Sequence, residues 1–416
     1  MPPPAIKHDP FNSDKAQMVD DILVPINQTY DYINDLKNPF FIRMYQVFQE
    51  LYSNTTLLFH NKMPLTKQEL NQFIQEMRLF DLQFNHVSSS NLTKFISDTA
   101  GTKYYKINLL IPNADRDTAN TTTNANPNQL VTVYLAYHFS MSSVINSVIF
   151  AIMYFCKLFP GNYDQLTMYV VMSLDRRMFP HDKVLTPDRL RQAREQSVAF
   201  TCAALCDVEN KKVIVSKYEN IMSTIFHELM HYIDFDNHSK LSGIKLKQLK
   251  IKTQRPIRIY EVFVTAMSVV FSLFMQFFVM QVAFDPNMSI KFPSRESPLT
   301  HVLLDHLNQE VRYSIVLARH YIDLYDVTVA EFFSGSKLID NQTPIIEYAI
   351  LKAQFMMNID WVFQIFNGND MKNNLEYVDF AIPDQEFIDL LQLIPRGAYK
   401  LDNVSFNLFD FYCMMK

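Results

Sequence analysis

Lys212 to Phe235, KVIVSKYENIMSTIFHELMHYIDF, constrains the chain more than any other stretch. Val213, Ile214 and Val215 make a short β-branched run, and Ser216 with Glu219 forms a capping box. The pattern predicts a strand, a cap and a helix starting at about Lys217. At helical spacing Tyr218, Ile221, Met222, Ile225, Leu229 and Ile233 make an apolar stripe, while Asn220, Ser223, Thr224, His227, His231 and Asp234 fall on the opposite side. His227 and His231, one turn apart with Glu228 beside the first, are therefore expected to face away from the core.

The order His227-Glu228-Leu229-Met230-His231 is HExxH. Neutral imidazoles at i and i+4 can meet one Zn²⁺ at about 2.0–2.1 Å, and the intervening glutamate lies where it can take a proton from a bound water. Zinc is thus the expected cofactor, with Glu228 as general base. A third ligand is required. The metzincin pattern needs Gly at position 234 and His at position 237, but these are Asp234 and Asn237, so that subclass is excluded. Glu261, which opens an apolar helix further on, is the expected third ligand. It begins a polar seam, Glu261, Thr265, Ser268 and Ser272, whose helical spacing suits the lining of a buried site. The plainer alternative is a capping glutamate on a core helix.

From Ser197 to Thr265, with a short strand, KYENIMSTIFHELMHYIDFD and then YEVFVTA, the chain resembles the gluzincin-type metallopeptidases of large DNA viruses. The resemblance implies a zincin-like core with zinc on His227, His231 and Glu261. It also implies a hydrogen-bond donor for the transition state, for which His301, His306 and His320 are candidates. The strand patterns KYYKINLLI, LVTVYLAYH and QLTMYVVMSL, with an apolar helix from Phe139 to Phe159, suit the upper lobe of such a core.

The expected fold class is mainly α with a small mixed β-sheet (α+β). Residues 1–100 read as an N-terminal arm and helices, 101–240 as the α/β lobe with the HExxH helix, and 241–416 as a C-terminal helical lobe. Thr66 and Glu69 make a capping box ahead of Leu70, Phe73, Ile74, Met77 and Phe80. PDRLRQAREQ, started by Pro187, predicts a basic helix, and Thr343-Pro344 starts a helix expected to run through Asn367, with shorter ones near Gln385 and the C-terminus. Val262 to Val282 carries no charge and is long enough to span a bilayer, with Lys245, Lys247, Lys250, Lys252, Arg255 and Arg258 before it. The polar seam, Gln276 and Gln281 make it a core helix instead.

Composition adds a second reading. A net charge of −5 argues against a nucleic-acid partner, and 6 glycines beside 34 Phe, 21 Tyr and 21 Met make a chain with few hinges and many adhesive side chains. Met1-Pro2-Pro3-Pro4 leads into no apolar signal segment, so a non-secreted protein of the host nucleus or cytoplasm is expected. Of the 4 cysteines, Cys156, Cys202 and Cys206 read as thiols, while Cys413 is placed for an intermolecular disulfide. Asn-rich, Gly-poor and mainly helical, with this cysteine near its end, the chain resembles the occlusion-body proteins of nudiviruses, the polyhedrins. That resemblance implies self-association into a crystalline lattice around virions as cargo. Met1 to Asn12 and Asp117 to Gln129 would be held by other copies, and the matrix would dissolve in alkali as tyrosines and lysines lose protons. The expected function is therefore a viral structural protein that self-assembles into a crystalline occlusion-body matrix, built on a metallopeptidase-like fold; the alternative is an active zinc-dependent metallopeptidase of gluzincin type.

Overall fold

The structure, a computed structural model, describes residues 39–53, 62–84, 95, 101–112, 128–138, 142–172, 204–216, 221–235, 250–284, 298–339, 346–358 and 384–396. Its sheet is built from β1 (Met63–Pro64), β2 (Thr102–Pro112), β3 (Asn128–His138), β4 (Thr167–Met172), β5 (Ala204–Asp207) and β6 (Lys212–Val215), in the order β1-β2-β3-β4-β6-β5. The β3–β4 and β4–β6 pairs are parallel and the others antiparallel. The parallel strands lie inside the sheet, where both faces are covered, as their continuous apolar sequence requires.

Alternation along each strand sorts the two faces. Val131, Val133 and Leu135 of β3, Met168, Val170 and Met172 of β4, and Val213 and Val215 of β6 join the main core. The opposite face presents Ala136, Tyr169, Val171 and Ile214 to Phe73, Met77 and Phe80 of α2 (Lys67–Phe84). The expected capping box starts α2: Thr66 Oγ1 accepts from the Glu69 amide at 3.2 Å, and a Glu69 carboxylate oxygen accepts from the Thr66 amide at 2.9 Å.

On the main-core face lie α1 (Pro39–Ser53), α3 (Ser142–Leu158) and α4 (Ile221–Tyr232), the HExxH helix. Beyond α4 pack α5 (Ile259–Phe284) and α6 (Pro298–Leu324). After these come the short α7 (Val329–Ser334), a π-helix (Ile346–Leu351), α8 (Lys352–Met357) and α9 (Gln385–Leu393). One apolar cluster runs unbroken from Phe41 on α1 to Leu391 on α9. The chain is thus α+β, mainly helical with a small mixed sheet. Among the described residues α5 is the helix long and apolar enough to cross a membrane, and 78% of its window from Ile259 to Val279 is buried by the rest of the protein.

Two expectations change. The helix expected from Thr343-Pro344 to Asn367 is a π-helix from Ile346 followed by α8, which ends at Met357 with Asn358 as its cap. Its first turn is widened by one residue, and apolar spacing alone does not distinguish that from α. Several buried tyrosines also differ from the expected alkaline behaviour. Burial, the first cause in each case, pushes Tyr45 and Tyr137 up to about 12 and raises Tyr154 and Tyr163 well above the ordinary range. These phenols do not ionise near pH 10 in the folded chain. The arm Met1 to Asn12, residues 117–127, the PDRLRQAREQ helix, Lys217 to Asn220 of the predicted HExxH helix start, Cys202 and Cys413 lie outside the described residues.

The segment entering α5 is pinned by residues much later in the chain. β7 (Lys252–Thr253) pairs in parallel with β8 (Leu338–Ile339), and Gly335, closing α7 at φ 66°, sits against the Lys250 carbonyl. A Cβ there would overlap that oxygen, and the φ itself disfavours an L side chain.

Gly335→Ala should therefore lower the unfolding free energy by about 2 kcal/mol or more, read by chemical denaturation; an unchanged midpoint would show that the Lys250 segment yields freely. A second expectation concerns alkali. Unfolding frees the buried tyrosines to ionise near pH 10, so above that pH the unfolded chain binds fewer protons than the native one. Stability is then fully present below about pH 10 and lost progressively as pH rises toward about 12. Denaturant midpoints that stay flat from about pH 8 to about pH 11 would contradict this.

Candidate metal centre

Helix α4 is held from below. Ile221, Met222, Ile225, Phe226, Leu229 and Met230 are buried, and Phe226 stacks on Phe155 of α3 with ring centroids 5.8 Å apart. That burial fixes the rotation of the helix and turns His227 and His231 toward α5. Both histidines do leave the apolar stripe, but the face expected to point away from the core is covered: their side chains are only 13% and 16% exposed. Glu228, between them on the helix, is buried at 7%.

Glu261 enters from the first turn of α5, buried at 8%. Its Oε2 lies 3.5 Å from His227 Nε2 and 3.4 Å from His231 Nε2, and the two Nε2 atoms are 3.0 Å apart. A tetrahedral Zn²⁺ with ligands at about 2.0–2.1 Å separates neighbouring donor atoms by about 3.3 Å. The observed triangle of 3.0, 3.4 and 3.5 Å matches that edge. The predicted residues His227, His231 and Glu261 are therefore brought together, within 4.8 Å of one another. Their donor set, two imidazoles and a carboxylate, suits zinc and leaves a fourth position open.

Neighbouring groups orient these donors. The Thr265 hydroxyl donates to the Glu261 carbonyl at 2.6 Å, so toward His227 Nδ1, 3.5 Å away, it can only accept. That contact favours the tautomer with its proton on Nδ1 and a free lone pair on Nε2, aimed at His231 and Glu261. Burial alone would push the Glu261 carboxyl up, but the two imidazoles that face it more than offset this and hold the group below the ordinary carboxylate range.

The rest of the expected seam serves its own helix: Ser268 Oγ donates to the Thr265 carbonyl at 2.8 Å, and Ser272 Oγ accepts from Gln276 at 3.0 Å. The histidines expected as transition-state donors all belong to α6, where His306 lies beside Asp305 and His320 edge-on to Tyr321. Among the described residues Tyr348 of the π-helix also reaches the centre. Its hydroxyl donates to Glu261 Oε2 at 3.2 Å, and its ring stands edge-on to His227 at 5.8 Å. Tyr260 does the same to His231 at 6.2 Å. The sequence signal for Tyr348 was the polar pair Glu347-Tyr348 inside an otherwise apolar run, and spacing alone could not connect it to residue 261.

The chain is 27% identical over 293 residues to uncharacterized protein R210 of Acanthamoeba polyphaga mimivirus, covering 68% of this chain and 73% of that one. It matches no model of a known protein family and no solved structure.

The centre should bind one equivalent of zinc, measured by metal analysis and chelator competition. Thr265→Val should weaken that binding by about tenfold or more, while Thr265→Ser, which keeps the hydroxyl, should stay close to the parent. Equal affinity for all three proteins would remove Thr265 from the account.

Proposed function

We propose that the chain is a zinc-dependent metallopeptidase of gluzincin type on a zincin-like fold. The observation that carries this reading is the donor triangle of His227, His231 and Glu261, whose edges of 3.0 to 3.5 Å suit a tetrahedral ion. Bound there, zinc would polarise a scissile carbonyl and bring the pKa of a bound water down to about 7. Glu228, one residue after the first ligand, takes the proton of the attacking water and returns it to the leaving amine. Tyr348, whose hydroxyl donates to Glu261 before substrate arrives, can turn that proton to the developing oxyanion.

Among the described residues β5 ends the strand order, pairs antiparallel with β6 and packs against the HExxH helix, which keeps the sheet beside the centre. The similarity to a mimivirus protein supports a large DNA virus as the setting, and with it action inside a host cell. The alternative, a polyhedrin-like lattice protein that packs around virions, rests on composition. Its proposed contacts, the Met1 to Asn12 arm and Cys413, lie outside the described residues.

A quenched-fluorescence peptide library, incubated with the zinc-loaded protein, separates the two. The peptidase reading expects cleavage that a chelator abolishes and zinc restores. Glu228→Gln should lose about a thousandfold in rate while still binding zinc. Cleavage absent from the zinc-loaded parent, with ordered particles forming at high concentration, would give first place to the lattice.

A further inference from the structure

Glu347 is a buried carboxylate that the proposed chemistry does not use. It is 2% exposed, its Oε2 has no hydrogen-bond partner among the described residues, and its Oε1 accepts the Arg258 amide N–H at 3.1 Å. A glutamate buried this way costs desolvation that its backbone hydrogen bonds only partly offset. What the bond to Arg258 holds is therefore informative.

Arg258 immediately precedes α5. Its amide is one of the donors that a helix N-terminus leaves without an intrahelical acceptor. Its carbonyl in turn accepts the Glu261 amide at 3.1 Å. Glu347 thus acts as a cap supplied from another element, joined through Arg258 to the backbone of Glu261. The adjacent residue, Tyr348, donates to Glu261 Oε2 at 3.2 Å. Two consecutive residues of the π-helix hold Glu261 at both ends, the backbone through Glu347 and the carboxylate through Tyr348.

The segment before Arg258 has little freedom to compensate. β8 fixes β7 at Lys252 and Thr253, and the Gln254 amide donates to the Ile339 carbonyl at 3.2 Å. From Gln254 to the start of α5 the backbone is tied at one end by β8 and at the other by Glu347.

We infer that Glu347 is a positioning residue for the proposed metal ligand: by capping α5 at Arg258 it sets where Glu261 stands relative to His227 and His231. This rests on the zinc reading above. The relevant property is an acceptor oxygen at that point rather than a negative charge, so glutamine should replace it and alanine should not.

The test is zinc affinity by chelator competition, with the visible spectrum of the Co²⁺-substituted protein as a report on ligand geometry, on the full chain well below its unfolding temperature. Glu347→Ala should weaken zinc binding by about ten- to hundredfold and alter the Co²⁺ spectrum, while Glu347→Gln stays within about threefold of the parent. Arg258→Pro removes the donated N–H from the other side and should act like Glu347→Ala, which keeps the test open if the alanine variant does not fold. A merely structural Glu347 would lower the unfolding temperature of the metal-free protein and leave affinity and spectrum unchanged; that result overturns the inference, as does a glutamine variant as weak as alanine. If the parent itself binds no zinc, the zinc reading fails separately. Hydrogen exchange at the Arg258 and Glu261 amides then decides: faster exchange in Glu347→Ala upholds the positioning role, and unchanged exchange overturns it.

Discussion

The contact between α4 and α5 is the constraint on which the rest of the molecule depends. Two largely apolar helices meet, and within their interface stand His227, His231, Glu261 and Thr265. Polar and charged groups withdrawn from water in this way are tolerated only when they satisfy one another or share an ion. Mutual distances of 3.0 to 3.5 Å meet that requirement. Slipping α5 by one turn along α4 would leave a buried carboxylate facing hydrocarbon, so the polar cluster also fixes the register of an otherwise greasy contact.

Aromatic packing keeps that register. Phe159, which follows α3, meets Phe271 of α5 at 5.1 Å, and Phe235, which follows α4, stacks on Phe263 at 5.7 Å. These rings link the sheet side of the molecule to the helical side on either flank of the histidines. The sheet supplies the base: β6 ends at Val215 shortly before the HExxH helix, with Val213 and Val215 in the main core and Ile214 on the opposite face.

Much of this was legible in order along the chain. Strand alternation at β2 to β4, the Thr66–Glu69 box and the spacing of His227, His231 and Glu261 all express local periodicities that burial preserves. The less legible parts share a cause. Periodicity tells which face of α4 is apolar, but not that its polar face will be roofed by another helix; that depends on where α5 and the π-helix pack. The π-turn escaped because Ile346, Ala349 and Ile350 would line one face of an α-helix equally well. Counting tyrosines treated all phenols as alike, whereas Tyr154 and Tyr163 are sealed in the core. Glu347 and Tyr348 were invisible because their partners, Arg258 and Glu261, are a long loop closure away, and no local rule joins them.

The parallel pairing of β7 with β8 has a consequence for the order in which the protein is made. A ribosome delivers His227, His231 and Glu261 before it delivers Leu338, Ile339 and Glu347. The nascent chain therefore holds every proposed metal donor before it holds the residues that fix the last of them in place. An ion met during synthesis would encounter a looser triad than the one in the finished fold, and maturation of the centre awaits the C-terminal third of the chain.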